Sequence, residues 1–256
     1  MSLIKLDERD GYAWIRIERE QKRNALNAQA RNELREILTL TNGKYSVLII
    51  TGSVGSFCAG VDLKEINEHT VRGSQAPLED WRDLNLQIRN HPAIFIAGVN
   101  GLALGGGATL VGLCDLAIAA TTTELGLPEI GFGMYANPAG PAIQFNLTRK
   151  RAAWLLLTAE RISGATAAEW GLVNEAVPLE ELEQRIDGLA KRIACFDRTA
   201  LTEAKNALDV IPMDCQSWKA AFEFGVTVNN RIVECSDATE KGLQNFGSGG
   251  RNPGQG

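Results

Sequence analysis

Asn100-Gly-Leu-Ala-Leu-Gly-Gly-Gly107 is the stretch that decides how this chain folds. It follows an unbroken apolar run, 93–99, of the kind that forms a buried strand, and precedes a helix-compatible segment, 108–113. A chain that turns through three consecutive glycines leaves its amides unshielded by any side chain. Those amides then stand at a helix N-terminus, where unpaired N–H groups and the helix dipole favour negative charge. The arrangement reads as an oxyanion hole, with a phosphate-binding turn as the rival from the glycine run alone.

A related plan recurs upstream. Ser56-Phe-Cys-Ala-Gly-Val-Asp-Leu-Lys64 follows the buried-strand pattern 47–51 and again ends in a glycine-bearing turn. Downstream, Leu127-Pro-Glu-Ile-Gly-Phe-Gly133 holds one acid, Glu129, among the apolar neighbours Leu127, Pro128, Ile130 and Phe132. Such surroundings desolvate a carboxylate and raise its pKa, which suits reversible proton transfer.

The order of the remaining elements is that of an α/β protein. Ile4–Glu8 and Tyr12–Ile17 flank Asp10-Gly11 as a hairpin, and 116–119 forms a further buried strand. Asn27 caps a helix whose apolar positions Leu34, Ile37, Leu38 and Thr41 share one face. Trp81, Leu84 and Ile88 mark another helix, and the polar, Gly- and Pro-bearing stretch 69–77 reads as a mobile loop. After Pro178 the pattern turns helical: Leu182, Ile186, Leu189 and Ile193, then Leu201, Ala204 and Leu208, then helices over 216–234 and 237–246. The Gly-rich end, 247–256, reads as a frayed tail.

Composition narrows the function classes. At 256 residues, with 45% hydrophobic and 22% charged, the chain can bury a sizeable core in one domain or two. A net charge of -5 provides no general attraction to nucleic acid or anionic membranes. The N-terminus has no apolar run long enough for a signal sequence, and no stretch is long enough to cross a membrane, so a cytoplasmic protein is expected. Cys58, Cys114, Cys195, Cys215 and Cys235 lack metal-ligand spacing and read as buried reduced thiols. The histidines are His69 and His91, the latter before Pro92 in what reads as a surface turn, which gives a serine-histidine-acid hydrolase little support.

With Lys22-Arg-Asn-Ala-Leu-Asn27, Cys114-Asp115 and Ala167-Ala-Glu-Trp-Gly-Leu-Val173, these motifs run in order over roughly residues 4 to 178 and resemble the crotonase superfamily, the enoyl-CoA hydratase/isomerase family. The resemblance implies a spiral of repeated ββα units over residues 1–195 and a C-terminal helical oligomerisation region over 196–256, in a homotrimer or hexamer. It also implies an acyl-CoA substrate, with CoA part of that substrate and neither a separate cofactor nor a metal. By motif position, the N–H groups of Val61 and Gly106 hold an enolate-like oxygen, and Glu129 transfers the proton. Ala25 and Leu26 fall near the pantetheine; Ala59, Asp62 and Leu63 fall near the adenine; Gly60, Gly105, Pro128 and Gly133 complete the binding segments. Arg23 suits a phosphate by residue type, against the simpler reading of a solvated surface arginine.

One position departs from the hydratase pattern. Thr109 stands where classical hydratases of the family carry their other glutamate, and a threonine cannot ionise near neutral pH. It is expected to position water or a polar acyl group. One carboxylate suffices for a 1,3-proton shift, so double-bond isomerisation of an enoyl-CoA is the favoured reaction. Hydration and hydroxycinnamoyl-CoA hydratase-lyase chemistry are the alternatives, followed by a catalytically weak acyl-CoA- or RNA-binding protein. The tyrosine of the hydratase-lyases aligns with Phe224, which weakens that reading. Tyr135 and Asn137 interrupt a glycine-richer family segment and are expected either to line the acyl pocket or to face solvent or a subunit contact. The family's basic C-terminal ending is poorly matched by Phe246-Gly-Ser-Gly-Gly-Arg251.

Overall fold

The computed structural model of the chain describes residues 2–71 and 76–249. Strand β1 (Ile4–Glu8) pairs antiparallel with β2 (Tyr12–Ile17) through a turn in which Gly11 has φ 78°. Helix α1 (Ala28–Thr41) follows, its first turn capped by the Asn27 side chain, which accepts from the Ala30 N–H at 3.0 Å. Three strand pairs come next: β3 (Val47–Gly52) with β4 (Ser56–Cys58), β5 (Ile94–Val99) with β6 (Leu102–Leu104), and β7 (Leu116–Ala120) with β8 (Glu124–Gly126). Helices α2 (Leu63–Val71) and α3 (Ala76–Arg89) follow the first pair, and α4 (Gly106–Leu113) the second. A short 3-10 turn, Glu129–Phe132, follows the third.

In each pair the first strand enters one sheet and the second enters another. The larger sheet runs β1-β2-β3-β5-β7-β10, with β10 at Glu175–Val177, and is parallel except at β1-β2. The smaller runs β4-β6-β8-β9, with β9 at Ile162–Ser163, and is parallel except at β8-β9. The chain therefore winds as a spiral of strand, strand and helix. Helices α5 (Ala139–Asn146), α6 (Arg149–Thr158) and α7 (Gly164–Trp170) close it, and α8 (Leu179–Ala194) returns across the larger sheet. Helices α9 (Arg198–Asp214), α10 (Trp218–Cys235) and α11 (Ala238–Gly247) end the described chain.

The unbroken apolar runs arise because the larger sheet is covered on both faces. Ala13, Ile15, Leu48, Ile50, Phe95 and Ala97 point into the main core shared with α1 and α3. Their neighbours Trp14, Val47, Ile49, Ile94 and Ile96 point the other way, onto Leu182, Ile186 and Ala190 of α8. Among the described residues no helix is long and apolar enough to cross a membrane.

Several expectations need correction. His91 is buried, not on a surface turn: its Nδ1 accepts the Ala93 N–H at 3.1 Å, its Nε2 meets the Leu38 carbonyl at 3.2 Å, and its ring stands edge-on to Phe95. Burial lowers its pKa to about 4, so it is neutral. Of the cysteines, all free, Cys58 and Cys114 are buried, but Cys195 and Cys235 are exposed and Cys215 is intermediate. The loop expected over 69–77 is narrower, because α2 extends to Val71 and α3 begins at Ala76, with Pro77 in its first turn, where a missing N–H costs nothing. Residues 72–75 of that stretch, and 250–256 of the expected tail, lie outside the described residues.

Candidate active site

The C-terminal ends of β4, β6 and β8 lie side by side in the smaller sheet, and the chain leaving each one supplies a chemical group to a single cavity of about 330 Å³. After β4 come Ala59, Gly60 and Val61; after β6, Gly105, Gly106 and Thr109; after β8, Pro128 and Glu129. Three segments far apart in sequence meet there because parallel strands bring equivalent ends to one edge.

Two backbone donors are left open at this edge. Leu26 pairs with the turn after β4 through its own N–H to the Gly60 carbonyl, at 2.8 Å, and through its carbonyl, which accepts the Asp62 N–H at 3.1 Å. Both bonds are made by the neighbours of Val61, so the Val61 N–H is turned away and, among the described residues, has no acceptor. The Gly106 N–H, at the first residue of α4, likewise has none, as expected of a helix N-terminus. Gly60 and Gly106 pack backbone against backbone: a Cβ on Gly60 would stand 2.8 Å from the Gly106 nitrogen, and one on Gly106 would stand 3.0 Å from Gly60 Cα. Only glycine on both sides allows this approach.

Glu129 faces the same glycine run. Gly105 has φ 51°, and a Cβ there would stand 2.5 Å from Glu129 Oε1. Glu129 Oε2 is buried without a hydrogen-bond partner, and burial holds the carboxyl above the ordinary carboxylate range. Thr109, one turn into α4, is fully buried, and its hydroxyl donates to the Gly105 carbonyl at 3.2 Å. That bond uses the single proton of the hydroxyl, so towards any further group the Thr109 oxygen can only accept.

The other expected residues divide. Arg23, Leu63, Tyr135 and Asn137 line the cavity. Ala25 and Leu26 are buried one layer behind it, and Gly133 sits in an exposed turn. The Asp62 carboxylate is held by Arg19 at 2.7 Å, and that guanidinium also donates to the Ala25 carbonyl at 2.9 Å. Asp62 therefore braces the turn that presents Val61. The sequence reading missed Ile66, Leu78, Trp81, Met134 and Arg161, which also form the wall. Trp81 showed a usable signal, an indole N–H on the helix face that also carries Leu84 and Ile88. Arg161 showed none, because only the β8-β9 pairing brings it to Gly126.

Comparison with known proteins gives the chain's family and relatives. The enoyl-CoA hydratase/isomerase family model matches residues 7–249. The chain is 29% identical to a hydroxycinnamoyl-CoA hydratase-lyase of Pseudomonas fluorescens over 251 residues, covering 95% of this chain and 91% of that one. It is 32% identical to the 2,3-dehydroadipyl-CoA hydratase of Escherichia coli over 248 residues, covering 94% and 92%. Among solved structures, an enoyl-CoA hydratase from Bacillus anthracis superimposes with a TM-score of 0.88 at 32% identity, covering 96% of each chain.

Proposed function

The chain belongs to the enoyl-CoA hydratase/isomerase family of the crotonase superfamily, and from that premise we propose that it moves a proton along the acyl chain of an enoyl-CoA, shifting its double bond, with Glu129 as the one acid-base group. The observation that carries this reading is the cavity's chemistry: two open backbone donors, one desolvated carboxyl, and a threonine where a second acid would be needed for hydration. The thioester oxygen sits between the Val61 and Gly106 N–H groups, where the dipole of α4 also favours negative charge. Glu129 removes a proton from the carbon next to the thioester, the charge spreads into a dienolate held by the two amides, and Glu129 returns the proton at C4. Each donor of such a pair contributes on the order of 3–4 kcal/mol to the transition state. The bound CoA runs past Ala59 and Leu63 towards Arg23 at the cavity mouth.

A panel of 3-enoyl-, 2-enoyl- and hydroxycinnamoyl-CoA substrates, assayed for double-bond shift, hydration and aldehyde release, tests the reaction type. Double-bond shift is expected to dominate. Thr109→Glu supplies the missing carboxylate and is expected to create or increase hydration while leaving isomerisation in place, whereas Thr109→Val should keep isomerisation. Efficient hydration of short 2-enoyl-CoA by the unaltered chain would overturn the preference. Loss of all activity in Thr109→Val alone would make Thr109 itself catalytic.

A further inference from the structure

The oxyanion donors and Glu129 leave one buried group of the cavity without a use. Trp81, in α3, is 1% exposed and forms part of the cavity wall, yet its Nε1–H has no hydrogen-bond acceptor. The edge of its ring that carries the N–H abuts the oxyanion turn: a Cβ on Gly106 would stand 3.2 Å from Trp81 Nε1 and 3.3 Å from its Cε2. Among the described residues, Trp81 Nε1 and Glu129 Oε2 are the two unpartnered buried side-chain atoms that belong to cavity-lining residues. Native structures hold few such groups, and each calls for a ligand, a water or a strain account. A wall that needed only apolar bulk would be filled as well by phenylalanine or leucine, with no donor to leave unpaired. The backbone carbonyl of Trp81 accepts from the Asn85 side chain at 2.9 Å, a bond within α3 that leaves the indole N–H unused.

We infer that the Trp81 indole N–H is a specificity-determining donor for an oxygen on the acyl group, so that this chain selects CoA thioesters whose acyl chain carries a hydrogen-bond acceptor beyond the thioester carbonyl. The inference rests on the acyl-CoA reading above. The thioester oxygen takes the Val61 and Gly106 amides, and the acyl chain then continues from Gly106 past the indole. A plain hydrocarbon chain leaves the N–H unpaired, and a site built around a buried donor discriminates against the analogue that lacks the acceptor.

The test compares hexanoyl-CoA with 3-, 4-, 5- and 6-hydroxyhexanoyl-CoA by calorimetric titration of the full chain and of Trp81→Phe. At least one hydroxyacyl thioester is expected to bind the unaltered chain about tenfold or more tighter than hexanoyl-CoA. Trp81→Phe should erase that preference, the ratio of hydroxyacyl-CoA to hexanoyl-CoA affinity falling to about one. In the unaltered chain, the ¹⁵N-labelled indole N–H of Trp81 should move downfield with the favoured hydroxyacyl thioester and not with hexanoyl-CoA, a readout independent of whether the variant folds. Equal binding across the panel, a preference that survives in Trp81→Phe, or a resonance that moves alike with both thioesters overturns the inference and leaves the acyl-CoA reading standing. Failure of every thioester to bind the unaltered chain overturns both.

Discussion

At the residue scale, the surroundings of Glu129 that suit it to proton transfer also oppose its charge. Its pKa is raised by desolvation above the ordinary 4.5, so folding favours the protonated form. The sign follows: the stabilising contribution is complete at low pH and is lost as pH rises through the raised value. Glu129→Gln, which is neutral at every pH, is therefore expected to melt at a higher temperature than the unaltered chain at pH 8, with the gap closing below pH 4.5. The same substitution should slow the proton shift by about 10²–10⁴-fold, the usual contribution of a positioned acid-base group. Thermal melts across pH and rate assays on one preparation check both; a variant that is less stable at pH 8 would contradict the desolvation account. Because Glu129 must be ionised to accept a proton, the acid limb of kcat/KM should lie above the usual carboxylate range.

At the scale of elements, the site is a junction of turns braced from behind by helices. Gly106→Ala would push a methyl to 3.0 Å from Gly60 Cα and 3.2 Å from Trp81 Nε1, and the neighbour on one side is backbone that cannot yield alone. The Gly106 N–H must shift with it, so a loss of about 10²–10³-fold in kcat is expected while the fold persists, measured by rates beside a melting curve. Behind Val61, Arg31 of α1 is 2% exposed and joins three elements at once. Its guanidinium donates to the Leu26 carbonyl at 3.1 Å, to Glu65 of α2 at 2.8 Å and to Asp80 of α3. Although burial opposes its charge, Asp80 is held below the ordinary carboxylate range by Arg31 and Arg35. Arg31→Leu strips a buried network of its central cation, and a loss of about 3–5 kcal/mol in stability is expected from urea unfolding. A change under 1 kcal/mol would show that Glu65 and Asp80 reach water once the arginine is gone.

At the scale of the whole molecule, the C-terminal helices carry an apolar face that this chain does not cover. Trp218 is 80% exposed, Phe222 67% and Phe246 73%, and the first two rings meet tilted at a centroid distance of 5.7 Å. An open crevice of about 620 Å³ along the same helices, lined by Val233, Asp237 and Leu243, is larger than the cavity at Glu129 but holds none of that cavity's lining residues. Large aromatic side chains left exposed together mark an interaction surface. The proposed occupant is a second copy of the chain, in a homotrimer or a hexamer. Light scattering should return three or six times the chain mass, and the double substitution Trp218→Glu, Phe222→Glu should lower it to a single chain without unfolding the spiral. A monomeric unaltered chain would remove the proposal.

What local sequence could determine, it did. The hairpin, the Asn27 cap, the buried strands of the larger sheet and the pattern of α8 are set by short-range residue chemistry and periodicity, and each lies within a few residues of its expected place. The segments that meet at the cavity were legible because open backbone donors are encoded by glycine turns and because Glu129 stands alone among apolar neighbours. The smaller sheet was not legible from its residues: β4, β6 and β8 are three residues each, too short to show a period, and exist only because each pairs with the next turn of the spiral. For the same reason Trp81 read only as one position of a helix, His91 as surface and Arg161 as nothing at all. Whether a side chain faces a cavity, a carbonyl or solvent depends on partners distant in sequence, and only the tertiary fold brings those partners into contact.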